Sequence, residues 1–229
     1  MGTLTAKYII DKAVIQLNDL SAARWSRAEL LQWLNDAQRT IVMISPNSSN
    51  KVSVVSLVAG TQQSIPSDGW TLLDAYRNMG ADGATPGRVL RFISKELLDG
   101  FNPDWHSGTK QKVVKNIIFD PQNQTKFWVY PPSDGTGTIE VNYAQVPPAL
   151  SAETDVIGLN DILQAVILDY MLYRACSKDA EYAAGMQLAT GYWQSFTNGL
   201  GLKAEAEVQN SPNQSLQPTK SPSTPGAES

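Results

Sequence analysis

Two helix patterns, about a hundred residues of strand and turn signals, two further helix patterns and a Pro/Ser-rich end follow one another along the chain. That order constrains the fold more than any single motif. Elements that change from a period of 3.6 to a period of 2 and back predict an α+β protein, with the outer helices packed together and the strands inserted between them. The predicted fold class is a helical bundle formed by the N- and C-terminal helices, an inserted antiparallel β region and an extended C-terminal tail. The boundaries are 1–46 and 158–206 for the bundle, 50–150 for the β region and 207–229 for the tail.

The first helix pattern runs from Thr5 to Asn18, with Ile10, Ala13, Val14 and Leu17 on one face. The second is the clearest: Ser26 and Glu29 have capping-box spacing ahead of Leu30, Leu34, Ala37, Ile41 and Ile44, and Pro46 ends it. A short linker carrying Trp25 predicts an antiparallel hairpin of these two helices. Strands are predicted at Lys51–Leu57 with a bulge, Gln62–Ile65, Leu72–Met79, Arg88–Ile93, Val113–Phe119, Lys126–Tyr130 and Thr138–Tyr143. Asp134-Gly135 lies between the last two, so these are expected to form a β-hairpin. One short helix, Ser94–Gly100, interrupts them with Ser94 as its cap. After Pro147-Pro148 a mostly buried helix begins near Asn160. A last helix, capped by Asp179, carries Tyr182, Met186, Ala189, Trp193, Phe196 and Leu200, with Gly199 and Gly201 loosening its end. Beyond Val208 only Leu216 is a large apolar residue, a composition expected to leave the tail disordered on its own.

The chemistry available is sparse. One histidine, His106, and one cysteine, Cys176, leave no material for a metal cluster, a disulfide framework or a Cys/His pair, so no cofactor and no catalytic role are expected. Asp99 and Asp104 are read as helix-end and turn residues, and Cys176 as a small core hydrophobe. The glycines Gly80, Gly83 and Gly87 lack the lysine and helix of a phosphate loop. With no signal peptide, the sequons at Asn47, Asn123 and Asn213 are read as chance. A net charge of −4 argues against non-specific nucleic-acid binding. No apolar run approaches the roughly 20 residues a bilayer requires, so no membrane is expected as a partner.

Several phrases in combination carry a resemblance. They are Ser26-Arg27-Ala28-Glu29-Leu30-Leu31-Gln32-Trp33-Leu34-Asn35-Asp36-Ala37-Gln38, Ser64-Ile65-Pro66, Leu72-Leu73-Asp74-Ala75-Tyr76-Arg77-Asn78, Pro103-Asp104-Trp105 and Phe127-Trp128-Val129-Tyr130-Pro131-Pro132. Over about residues 1–205 the chain resembles the head-to-tail connector, or adaptor, proteins of tailed bacteriophages. The resemblance implies a structural, non-enzymatic virion protein, assembled in the host cytoplasm. It would form a ring, usually of twelve copies, beneath the portal protein and give tail or tail-nozzle proteins their attachment surface. Genome DNA would pass through the channel without sequence-specific binding. Its C-terminal extension would grip the portal, here through Val208, Gln214, Leu216 and Lys220. Trp25, Trp33 and Trp193 are the candidate subunit-interface anchors. A different class stays open, a carbohydrate- or host-surface-binding virion module, on the expectation that Trp105 and Trp128 are exposed.

Overall fold

The structure, a computed structural model, describes residues 2–178 and 183–209. Helix α1 (Ala6–Gln16) has no side-chain cap; instead its first amides, Ala6 and Lys7, donate to the carbonyls of Asp155 and Glu153, each at 2.8 Å. The start of the chain is thereby fixed to the connector that enters the C-terminal helices. Thr5 also bridges Val156, and Asp161 accepts from the amide and hydroxyl of Thr3 at 2.8 and 2.6 Å. Helix α2 (Arg27–Ile44) starts as predicted, the Ser26 hydroxyl accepting from the Glu29 amide at 3.3 Å. Helices α4 (Gln164–Lys178) and α5 (Ala183–Gln209) complete the bundle, and Ile9, Leu34, Ile41, Ile167, Met171 and Phe196 are among the side chains of its core.

Two expectations about the last helix change. Gly199 and Gly201 lie inside α5, which continues to Gln209, so residues 207–209 are helical. Gly199 serves close packing: a Cβ there would sit 3.0 Å from Cγ2 of Val166 on α4. Asp179 and Tyr182 lie outside the described residues, as does the tail from Asn210.

Eight strands form the inserted region: β1 (Asn50–Ser56), β2 (Gly60–Ser64), β3 (Gly69–Met79), β4 (Pro86–Val89), β5 (Arg91–Phe92), β6 (Asn116–Phe119), β7 (Lys126–Ser133) and β8 (Thr138–Gln145). They make two sheets, ordered β1-β8-β3-β4 and β2-β7-β6-β5, antiparallel except for the β5–β6 pair. The hairpin expected across Asp134-Gly135 does not form. Its turn is present, with Gly135 at φ 90° and Asp134 accepting from the Thr136 amide at 2.8 Å, but it carries the chain from one sheet to the other. Likewise the single strand expected at Arg88–Ile93 divides at buried Leu90, giving β4 to one sheet and β5 to the other. The bulge expected in the first strand falls instead in β2, where the register shifts between Gly60 and Gln62.

Alternation along the strands explains the layers. Ile139, Val141 and Tyr143 of β8 meet Phe127 and Val129 of β7 and Ile117 of β6 between the sheets. On the opposite faces, Leu73 and Ala144 pack against the helical core, while Ile118, Trp128 and Tyr130 are covered by Leu98 of α3 (Lys95–Phe101) and by Trp105. Helix α3 is capped by Ser94, whose hydroxyl accepts from Leu97 at 3.2 Å.

Buried neutral amides join these layers. Asn78 donates to the carbonyls of Arg88 and Val114 at 2.9 and 2.8 Å and accepts from the Val114 amide at 3.0 Å. Gln63 closes the β1–β2 turn by accepting from the Val58 amide at 2.7 Å and donating to the Val58 carbonyl at 2.9 Å. Such groups are costly to bury unless paired, and each of these is paired.

Candidate interaction surfaces

The residues that looked chemically able are occupied structurally. Trp105 is 0% exposed and donates its indole N–H to Asp99 Oδ1 at 2.8 Å. His106 stacks on the Trp105 ring at 3.6 Å, and its Nδ1 lies 2.9 Å from Thr61 Oγ1. Asp104 begins the short helical turn Trp105–Ser107, its carbonyl accepting from Ser107. Cys176 is half-buried on α4, short of the full burial expected of a core residue. Among the described residues no group of three His, Cys, Asp or Glu side chains could hold a metal, and no helix is long and apolar enough to cross a membrane. Burial of Trp105 also corrects the expectation of two exposed aromatics. Only Trp128 has any surface, and it is half-buried with the Lys95 ammonium 5.8 Å from its ring centre.

The three interface tryptophans differ. Trp25 and Trp33 are each 6% exposed, their area taken up by the bundle's own core, whereas Trp193 is 37% exposed. Trp193 lies 5.0 Å from the Tyr173 ring and 5.3 Å from Phe196, in an aromatic seam between α4 and α5. A shallow groove of about 300 Å³ opens there, edged by Met186, Ala189 and Thr190. Of the tail residues, Val208 belongs to the last turn of α5, and Gln214, Leu216 and Lys220 lie outside the described residues.

Sequence reasoning missed two further surfaces. At the junction of bundle and sheet, Val42, Met43, Trp70, Val146 and Pro147, with Arg39 at one side, line an almost wholly apolar groove of about 230 Å³. On the far side of the β region α3 turns Leu98 inward and Leu97 and Phe101 outward, Phe101 being 88% exposed. The i, i+4 spacing of Leu97 and Phe101 was available in the sequence as a signal.

An ionic cluster fixes the edge of the bundle. The Arg27 guanidinium donates through Nε and Nη2 to both oxygens of Glu153, each at 2.7 Å, and through Nη2 to Asp11 at 2.6 Å. The hydrogen bonds to Glu153 raise the Arg27 pKa despite partial burial. The reciprocal bond from Arg27 holds the Glu153 carboxyl low, and Lys7 and then Arg27 hold Asp11 low. Asn35 and Gln38 of α2 bind the same connector, Asn35 both accepting from and donating to Leu150 and Gln38 accepting from Gly158 at 2.7 Å.

These surfaces are apolar grooves and an apolar helix face on a cross-braced scaffold. A family model described as SU10 adaptor protein matches residues 4–216. This chain belongs to the SU10 adaptor protein family. No curated protein matches its sequence. The matched span takes in every described helix and strand from α1 to α5, so an adaptor's contacts are to be sought on these surfaces and on the segment that follows α5.

Proposed function

We propose that this protein is a structural adaptor of a tailed-phage virion, a ring component seated beneath the portal that gives the tail its attachment surface. The observation that carries the reading is the adaptor-family match over nearly all of the folded chain. In this reading residues 1–46 and 158–206 build the ring, and residues 50–150 project from it toward tail or nozzle proteins. Twelve copies is the number implied by the resemblance. Trp193, with Met186 beside it in the groove on α5, is the best-placed anchor between copies, whereas Trp25 and Trp33 are taken up by the bundle core. The tail, through Val208, Gln214, Leu216 and Lys220, grips the portal. The net charge of −4 suits a channel wall that genome DNA must pass without adhering.

Sedimentation of the full chain, alone and mixed with purified portal rings, tests the proposal. A small species alone and a multi-copy ring on the portal are expected. Failure to associate with portal under any salt condition contradicts it. The carbohydrate-binding alternative loses one of its two motivating aromatics with the burial of Trp105, and Trp128 is half-buried.

A further inference from the structure

Three of the four sheet edges are blunted against pairing. Edge β4 has four residues beginning with Pro86, which has no amide to donate; edge β5 has two residues; and edge β2 is interrupted by the register shift at Gly60. The fourth, β1, is different. Its seven residues pair with β8 from Asn50 to Ser56 without a register break, and among the described residues no strand lies on its other side. Val52 and Val54 are 49% and 38% exposed. A long, regular, partly apolar edge is a template for an extended peptide.

The chain's own continuation starts beside it. Lys203 and Glu207, on the last turns of α5, share a groove of about 280 Å³ with Asn47, Ser48, Asn50 and Lys51, the residues that lead into β1. The sequence then runs Asn210-Ser211-Pro212, followed by the proline-free window Asn213-Gln214-Ser215-Leu216-Gln217 before Pro218. Four residues beyond Gln209 span about 13 Å when extended, and the shared groove already sets the last turns of α5 against the start of β1. Proline cannot donate to a ladder, so this window is the part of the tail able to pair, and it holds the tail's one large apolar residue.

We propose that β1 is the docking edge for the chain's own tail, residues 213–217 adding as a further strand with Leu216 beside Val52 or Val54. Tethering through a short linker gives the window a high effective concentration at its own edge, which favours this occupant over a neighbour's tail. On the portal reading, gripping the portal then requires that strand to leave β1. This consequence rests on that reading; the pairing itself does not.

Hydrogen exchange of the full chain alone, at two protein concentrations a hundredfold apart, tests the pairing against a full-length Ser215→Pro variant. The substitution lies beyond Leu200, the last core residue among those described, and so leaves the packed cores as they are. The expected result is that outward-facing amides within Asn50–Ser56 exchange about tenfold more slowly in the unaltered chain than in the variant, at both concentrations. Equal exchange in the two proteins overturns the proposal. Protection that appears only at the higher concentration also overturns it, by assigning the edge to a neighbour's tail. Neither result bears on portal binding, which is measured with a partner present.

Discussion

The helical bundle and the β region solve the same problem, joining segments distant in sequence, with different chemistry. In the bundle the ties at the exposed edge are ionic or charge-assisted, Arg27 to Glu153 and Asp11 and Thr3 to Asp161, beside the neutral pairs of Asn35 with Leu150 and Gln38 with Gly158. In the β region they are mostly neutral and buried, Asn78 to Val114 and Trp105 against Ile118, with Asp68 to Lys51 and Tyr143, and Arg77 to Glu140, the ionic exceptions. The carboxylates of Asp82 and Asp134, though lowered in pKa, accept from residues of their own turns. The difference teaches that burial depth selects the tie. An edge still reached by water tolerates full charges, whereas the interior between the sheets holds the neutral Asn78, whose donor and acceptor atoms are matched.

Four changes test that contrast, from the largest effect to the smallest. Trp105→Ala removes a fully buried indole and leaves Asp99 without its donor; a loss of about 3–5 kcal/mol is expected in denaturant unfolding, insensitive to salt. Asn78→Ala strands the Val114 amide and two carbonyls between the sheets and should cost about 3 kcal/mol, also salt-independent. Arg27→Met keeps the aliphatic stem and removes a guanidinium that is about a third exposed. The expected loss, about 1–2 kcal/mol after solvent screening, should shrink as salt is added to wild type. A salt-independent Arg27→Met effect, or a salt-dependent Asn78→Ala effect, would break the distinction. Ser26→Ala, which removes the α2 cap, should cost about 1 kcal/mol by thermal unfolding.

Acid offers a second way to sharpen it. Asp11, Glu153, Asp155 and Asp161 all have folded pKa values below their ordinary ones. The unfolded chain therefore binds more protons at these sites. Their stabilisation is complete above the ordinary carboxylate range near pH 4 and is lost as pH falls through the lowered values. Amide exchange in α1 and residues 150–161 should therefore rise at a higher pH than exchange in β6, whose ties to β7 are backbone pairs without a lowered carboxylate, during an acid titration. A single shared midpoint would contradict the contrast.

What could be seen in the sequence follows from how local each determinant is. The caps at Ser26 and Ser94 and the apolar stripe of α2 as far as Ile41 are decided within a few residues and form, whereas Ile44 at the helix end is 47% exposed. The turn at Asp134-Gly135 was legible for the same reason, but which sheet receives the next strand depends on the pairing of β8 with β1 and β3 at long range. Gly199 and Gly201 read as loosening the helix end because glycine lowers helix propensity, yet α5 runs on through both, and at Gly199 the absence of a Cβ leaves room for Val166. Tryptophan identity suggested anchors without revealing burial, so Trp25 and Trp33 could not be told apart from Trp193. The apolar groove around Trp70 and Pro147 joins residues from α2 and the strands and has no contiguous signal.

The central claim, that this adaptor-family chain joins a virion's head to its tail, is tested most directly in phage heads assembled without it. Electron microscopy should show filled heads lacking tails, with tail attachment restored by adding the purified full-length protein. Tailed, infectious particles formed in its absence would contradict the account.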